Sequence, residues 1–582
     1  MNIRNDLADC PPEFDVIVIG AGAAGGLPVG AYLQKAGAKV LLVDGNNTAG
    51  IHCQSYEYQS GARCVPCAGG FAGGMMPLWD DLELDKHGME MIENRRILGA
   101  IFSDDTSLFV GKDVLRTLRD IAKFSWKDAW TFARIGLQIE RYKVEFNERF
   151  IYSDANPENL ERAFEIVAKV VGFSVAQLKD INTFELLDHL FVDDRIKQVL
   201  FQPGGSVCLF NPWNKGEGAV GLIALFFAAG GQLKGSNRTL VEALERVFFK
   251  FGGTMWLNSP VARIIVEDGV AVGVQMRDDA VLHPGEIIRA TKAVVSNVGP
   301  IGTRELVGAE VIEKADPVLG KKLREWDVKH RPSTCTVWNL TRPPRWKALA
   351  NNPYLMRADW VYIGLDSIKD WGDWFQAQLD GDPDKGFQGW WETFIPSLID
   401  SSLAAEDGSV TLRIESVHPH LTDKDGHLDA AAWEAHKWDI AARMTDRLEE
   451  LAPGFKDSII EIVQSSPIDI WRADPAAVWG CSTDAYAGHD TAHWYGNRLP
   501  YRMPIKQLYA CKGTWPIAFT WCATGYIGAC IVAEDLGLRD QIWWKSRPGD
   551  YLKRHGKRAT QLADQAADYA KRTWFNREGA GA

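Results

Sequence analysis

Long apolar runs are missing from this sequence: none reaches the roughly 20 residues that a bilayer-crossing helix requires. Cysteine is sparse, with ten in 582 residues, which excludes a disulfide-built scaffold and fits the free thiols of a reducing compartment. An excess of positive charge is also absent. Lys and Arg number 64 against 76 Asp and Glu, a formal net charge of −12, and this argues against nucleic acid as the main partner. The opening stretch MNIRNDLADCPPEF is polar and acidic and lacks a signal-peptide apolar core. A cytoplasmic protein is therefore expected, with peripheral contact to a membrane surface and homo-oligomerisation left open. No metal site is expected. Cys64-Val-Pro-Cys67 has C-x-x-C form, but Gly69, Gly70, Gly73 and Gly74 follow it instead of the helix a thioredoxin-like unit needs.

What is present is a large globular chain, 46% apolar and 24% charged, long enough for two or more domains. Its most informative stretch is 14–45, FDVIVIGAGAAGGLPVGAYLQKAGAKVLLVDG. An apolar, β-branched run over 16–19 is followed by Gly20, Gly22 and Gly25 at G-x-G-x-x-G spacing, with Ala23 and Ala24 within the turn. A helix-compatible stretch over 27–36 ends at Gly37, and a second apolar run over 39–43 ends at Asp44-Gly45. This is a βαβ unit with a dinucleotide fingerprint. Gly20 permits the tight turn, Gly22 the approach of a pyrophosphate, and Gly25 close packing of helix on sheet. The helix start offers free N–H groups and a partial positive charge to the phosphates. Asp44 stands where it can accept from the adenosine ribose hydroxyls. The pattern by itself does not separate FAD from NAD.

Residues 46–80 are rich in glycine and turn formers. Over 81–200, periodic apolar positions predict helices at 114–124, 126–139, 160–171 and 191–201, with starts at Asn156 and Ser174. The basic and apolar mixture over 114–139 reads first as helix packed on its own domain, and second as a membrane-facing surface. An amphipathic helix at 239–251 ends at Gly252-Gly253. Strands follow at 254–257, 260–267 and 271–277, with Asp268-Gly269 as a hairpin turn, and at 287–290 and 292–296, leading into Asn297. Residues 311–500 form a second, Trp-rich block. A strand at 505–511, a loop at 512–524 and a helix at 525–536 return to the first pattern, and a charged tail is expected to be helical over 551–573. The fold class expected is α/β: a Rossmann-like nucleotide domain in three pieces, 14–80, 235–310 and 500–540, interleaved with an α+β substrate domain from 81–234 and 311–499. Residues 541–582 form a C-terminal helical extension.

These segments resemble the FAD-dependent amine oxidase superfamily, and within it the branch of phytoene desaturases and carotenoid isomerases. The resemblance rests on the N-terminal fingerprint, on the run from Gly231 through Leu240, Gly252-Gly253, Val261, Gly269 and Gly273 to Asn297, and on Asn497-Arg498-Leu499-Pro500 through Cys511 to Gly525, Gly528 and Ala529. It covers about half the chain, all of it cofactor scaffold. It implies FAD as cofactor, with Gly20, Gly22, Gly25 and Asp44 on the ADP half and the Val261 backbone at the adenine. It also implies that Gly525, Tyr526 and Ile527 open a helix whose positive end faces the flavin's pyrimidine edge. Two departures stand out. Where the family usually has Gly-Gly-Arg, this chain has Ala49-Gly50-Ile51-His52, so His52 is a candidate for the phosphate contact. Where the family commonly has Gly-Asp or Gly-Ala-Ser, this chain has Lys512-Gly513-Thr514-Trp515, which puts Gly513 at the ribityl position and a cation close by.

In such a protein the flavin carries the reaction and the chain supplies position and electrostatics. Hydride transfer to flavin N5 needs proximity and a dry pocket, and an alcohol or amine substrate also needs a base. His489, His493 and Tyr495, with Asp484 and Asp490 among them, are the candidates. Trp515 and Trp521 are candidate walls of the substrate site. Trp371, Trp374, Phe375, Trp390 and Trp391 either line an apolar cavity or fill ordinary core. The resemblance implies desaturation or dehydrogenation of an apolar or cyclic small molecule, with oxygen or a quinone as electron acceptor. A non-redox polyene isomerase, an amine oxidase and a non-catalytic binding protein are the alternatives.

Overall fold

The computed structural model describes residues 13–555 except 68–71, 74–75, 93–96, 112, 155, 207–211, 228–229, 327–332, 359, 383–384, 386–390, 419–420, 478–497 and 515–520. The β-branched run at 16–19 forms the inner part of strand Glu13–Ile19 and is buried on both faces, as a parallel strand between two covered faces should be. Val40–Val43 and Ile287–Ser296 flank it, both parallel to it. Thr254–Trp256 extends the sheet beyond Val40–Val43, and Leu508–Ala510 pairs in parallel with the end of Ile287–Ser296. An antiparallel hairpin, Val261–Glu267 with Val270–Met276, completes the seven strands. Its turn residues Asp268 and Gly269 have φ of 49° and 77°, as a type I′ turn requires.

The second sheet also has seven strands, in the order Ile459–Ser465, Ser333–Leu340, Val410–Val417, Trp391–Phe394, Trp360–Ile363, Ile97–Ile101 and Ser107–Gly111. Helix Ala430–Leu451 packs on it through Trp433, Ile440, Met444 and Leu448, which share a core with Trp338 and Leu412. A helical layer spans much of 114–227. Its boundaries follow local chemistry. Asn156 accepts from the Asn159 N–H and Pro157 takes the first turn of Pro157–Val171, which Gly172 ends in the left-handed conformation. Ser174 and Gln177 make a reciprocal capping box.

Several expected boundaries move. The helix expected at 126–139 continues to Phe146, because Tyr142 and Phe146 prolong the apolar stripe of Ile135 and Ile139. The stretch 191–201 is not one helix. Phe191 closes helix Thr183–Leu190 by donating to the Leu187 carbonyl, and a second helix runs Asp194–Ser206. The two strands expected at 287–290 and 292–296 are one, interrupted by a bulge opposite Phe14 and Val16. The bulge accounts for a charged residue in an apolar run: Lys292 pairs with Asp15 at 3.1 Å. The late strand shortens to Leu508–Ala510, and the late helix is Trp521–Asp535. The tail is helical at Pro548–His555, and the rest of 551–573 lies outside the described residues. Among the described residues no helix is long and apolar enough to cross a membrane.

Candidate functional site

The site forms where the parallel strands of the first sheet end, the place where open α/β sheets bind ligands. Gly20 leaves its strand with φ of 92°. The Ala21 N–H donates to Asp44 Oδ2 at 2.7 Å, and the Asn46 N–H donates to Asp44 Oδ1 at 2.8 Å. Burial raises the Asp44 carboxyl above its usual range, opposed by these two N–H donors. Asp44 thus braces the glycine turn with one lone pair on each oxygen and leaves acceptor capacity on both. Its neighbours are set by the same strands. The Asp44 N–H donates to the Trp256 carbonyl at 2.8 Å, and the Ser259 N–H to the Asp44 carbonyl at 2.9 Å. This brings Val261, two residues on, to the Asp44–Gly45 end.

Helix Gly26–Lys35 starts with no side-chain cap and no acid in its first turn. Its positive end is therefore available to an anion, and the turn itself carries only methyl or hydrogen side chains (Ala21, Gly22, Ala23, Ala24, Gly25). These features fit a dinucleotide pyrophosphate. The reason for the glycines differs in part from expectation. A Cβ on Gly22 would come 2.8 Å from Asn297 Nδ2, and one on Gly25 would lie 2.7 Å from the Cys511 carbonyl and collide with Asn297 Oδ1. Asn297 supports the turn from inside.

The late helix does not begin at Gly525. Gly525, Tyr526 and Ile527 sit in the second turn of Trp521–Asp535. Gly525 marks a close approach, since a Cβ there would lie 2.7 Å from the Ala24 carbonyl and 2.9 Å from that of Gly25. Thr524 Oγ1 and the Gly525 N–H both donate to the Ala24 carbonyl, at 3.2 and 3.1 Å. Tyr526 packs edge-on against Tyr32 and Tyr152. Gly513, with φ of 71°, lies against Pro300, and its carbonyl accepts from the Leu499 N–H at 2.7 Å. The Lys512 ammonium reaches the Ala476 carbonyl at 3.5 Å.

His52 lies in a short 3-10 turn, Ile51–Cys53, tied to the glycine turn by the Gly50 N–H donating to the Ala21 carbonyl at 3.0 Å. Its Nε2 meets Asp474 Oδ2 at 2.6 Å. Burial pushes the imidazole down, but hydrogen bonds to Asp474 and to the Cys67 thiol, with the Asp474 charge, outweigh it and raise the group to about 10. Cys67 is held in place from the second sheet. The buried Arg413 donates to the Pro66 and Cys67 carbonyls at 2.5 and 3.1 Å, and Cys335 Sγ donates to the Pro66 carbonyl at 3.1 Å. Asp474 and Arg413 carry no local motif that marks them in the sequence. Cys64 and Cys67 are free thiols, and no metal-ligand cluster exists among the described residues.

His489, His493, Tyr495 and Trp515 lie outside the described residues, as do Asp484, Asp490, Trp390 and the Trp521 side chain. Trp371, Trp374 and Phe375 are buried against Phe201 and each other. They are core of the helical layer.

The family model for the NAD(P)-binding Rossmann-like domain matches residues 18–82. A limonene dehydrogenase component from Castellaniella defragrans is 24% identical over 91% of this chain and 96% of its own length. Phytoene desaturase of Cercospora nicotianae is 24% identical over 71% of this chain and 62% of its own. Among solved structures, a putrescine oxidase triple mutant superposes with a TM-score of 0.56 at 13% identity, covering 90% of this chain and 99% of its own. Fold and site define the class, a protein with a Rossmann-like dinucleotide-binding domain, and the relatives it resembles are FAD-dependent oxidoreductases. The likenesses lie in the FAD/NAD-binding amine oxidase-like superfamily, with desaturase relatives at low identity.

Proposed function

We propose that the chain catalyses dehydrogenation of a carbon–carbon bond in an apolar or cyclic small molecule. When bound, FAD supplies the hydride acceptor at N5. The chain's own residues position it. The backbone from Gly20 through Ala23 and Ala24 to Gly25 meets the pyrophosphate, Asp44 and Gly45 the ribose, and Val261 the adenine. His52 and Gly513 serve the phosphate–ribityl stretch. Asn297 acts through the turn it fills, and Gly525, Tyr526 and Ile527 by docking the late helix on that turn. His489, His493 and Tyr495 are proposed for proton transfer and Trp515 for the substrate wall. Oxygen or a quinone takes the electrons.

One observation carries this reading: the likeness to the limonene dehydrogenase component runs along 91% of the chain, so it includes the second sheet and the helical layer as well as the nucleotide unit. The test is an anaerobic screen of the purified yellow protein. A cyclic monoterpene or polyene should bleach the flavin and appear with one more double bond. Bleaching by amines alone, or isomerisation without bleaching, would sink the proposal.

A further inference from the structure

We infer that Cys67, His52 and Asp474 form a second reactive centre, in which Cys67 is a peroxide-reactive thiol and Cys335 the thiol that closes a disulfide onto it. This goes beyond the dehydrogenation proposed above and does not depend on it.

The arrangement is a thiol, an imidazole and a carboxylate in series. The Cys67 thiol is hydrogen-bonded to His52, and His52 Nε2 meets Asp474 Oδ2 at 2.6 Å. A nucleophile bonded to a base that a third group orients is the arrangement of an activated thiol. Each member is fixed by its own surroundings. His52 sits in the Ile51–Cys53 turn, where the Cys53 N–H donates to the Gly50 carbonyl at 2.8 Å. Asp474 ends helix Pro467–Ala473, donating its N–H to the Ile470 carbonyl at 2.9 Å. Its Oδ1 accepts from the Ala476 N–H at 3.0 Å, which leaves Oδ2 to the imidazole. Arg413 holds the Cys67 backbone through the Pro66 and Cys67 carbonyls.

Cys67 also differs from the thiols around it. It is partly exposed, whereas Cys53, Cys64 and Cys335 are buried. Burial pushes Cys64 up to about 11 and Cys53 up to about 12. Burial, then the charge of a Cys67 thiolate, carries Cys335 well above the usual thiol range. These three stay protonated at neutral pH. Against burial, the bonds to Asp474 and Cys67 hold the imidazole protonated up to about pH 10. A cation beside a thiol is what makes it nucleophilic, and this one carries a proton that a departing hydroxide needs. The resolving thiol is in place. Cys335 Sγ donates at 3.1 Å to the carbonyl of the peptide bond that joins Pro66 to Cys67, and Cys335 packs with Cys64 in one buried cluster.

The Cys67 sulfur attacks one peroxide oxygen. An S–O bond forms as the O–O bond breaks, and the His52 proton leaves with the hydroxide as water. The sulfur, oxidised by two electrons, is then a sulfenic acid. The Cys335 sulfur attacks it. The S–S bond forms, the S–O bond breaks, and the Cys335 proton leaves with the hydroxyl as a second water. Two thiols and one peroxide thus give one disulfide and two waters.

The experiment treats full-length protein with hydrogen peroxide at neutral pH, quenches with N-ethylmaleimide and maps the cysteines by peptide mass spectrometry. In wild type, Cys67 and Cys335 should disappear together as one disulfide, about tenfold faster than glutathione oxidises in the same solution. Cys335→Ser should stop at the Cys67 sulfenic acid, which dimedone captures. His52→Gln should slow the oxidation of Cys67 about tenfold. Asp474→Asn should slow it in the same direction. There Asp474 acts as a positioning residue, so the NMR midpoint of His52 should fall toward 6.5, which loss of packing alone does not produce. Oxidation of Cys67 no faster than that of glutathione overturns the proposal, as does an unchanged rate in His52→Gln. A disulfide between Cys64 and Cys67 overturns the pairing with Cys335. Should His52→Gln fail to fold, the comparison of wild type with glutathione decides alone. Dehydrogenation plays no part in these readouts, so failure of either proposal leaves the other standing.

Discussion

Asn297 fills the inside of the glycine turn. Its Nδ2 donates to the Gly20 carbonyl at 3.1 Å, its N–H to the Ile19 carbonyl at 2.8 Å, and its Oδ1 accepts from Cys511 Sγ at 3.5 Å. A residue almost 280 positions downstream therefore shapes the loop that meets the cofactor. The consequence separates two glycines that the fingerprint treats alike. A Cβ on Gly22 meets only the Asn297 side-chain amide, which can shift. A Cβ on Gly25 also meets the Cys511 carbonyl, which cannot. Gly25→Ala should cost about 1–3 kcal/mol of unfolding free energy and release FAD. Gly22→Ala should cost less than half as much. Urea unfolding of the two variants, with flavin absorbance after gel filtration, measures the contrast.

Arg413 should be among the costliest positions to change. It is 5% exposed, bonds Pro66 and Cys67 across the sheet and pairs with Glu415 at 3.0 Å. Arg413→Met keeps much of the volume but strands the Glu415 carboxylate and the Cys67 carbonyl, while the Pro66 carbonyl keeps Cys335 Sγ as its donor. Breaking a buried pair from one side costs about 3–5 kcal/mol, and partial access of water to Glu415 places the expectation at about 3. Because Cys67 then loses its support, the His52 midpoint should fall as well, which NMR of the imidazole reads directly.

The nucleotide sheet was legible because its information is local. Strand Glu13–Ile19, the glycine spacing, Asp44 and the Asp268-Gly269 turn lie within a few residues of what they control. The helix starts at Asn156 and Ser174 were legible for the same reason. The second sheet was not. Ser333–Leu340 is buried at all eight positions, so it lacks the alternation that marks a half-exposed strand. Ile97–Ile101 and Ser107–Gly111 pair beside Trp360–Ile363, more than 250 residues away. The pair of His52 with Asp474 was hidden by distance along the chain. The start of the late helix was misplaced because Gly525 looks like a boundary, whereas it is there so that two backbones can touch.

Stability should fall between acid and neutral pH through Asp81. Its carboxylate accepts from Tyr32 Oη at 2.9 Å and from the Ser546 N–H at 3.1 Å, and burial pushes it up to about 6 against these bonds. A carboxyl whose folded pKa lies above its unfolded one is better tolerated protonated. Its contribution is complete below about pH 4 and is lost as the pH rises through 6. The difference amounts to about 3 kcal/mol. Asp81→Asn removes the ionisation, so the stability gap between pH 4.5 and 7.5, which spans about 2 kcal/mol of that difference, should close by about that much in urea titrations.

Gln202 leads to a gain in stability from a single change. The residue has no exposed surface, and neither Oε1 nor Nε2 has a hydrogen-bond partner among the described residues. One turn earlier on the same helix, Gln198 donates to the Leu365 carbonyl at 2.7 Å, so two glutamines of the same helix differ in satisfaction. An unpaired buried amide costs about 1–3 kcal/mol. Gln202→Met, of similar length and flexibility, should therefore raise the unfolding free energy by about 1–2 kcal/mol, within that range. Gln198→Met, which breaks a real bond and orphans a carbonyl, should lower it by about 1 kcal/mol. The opposite signs are the test. If both variants lose stability in parallel urea titrations, the Gln202 amide is bonded in solution, and the helical layer around it holds a polar group that the packing of Phe201 on Trp371 does not supply.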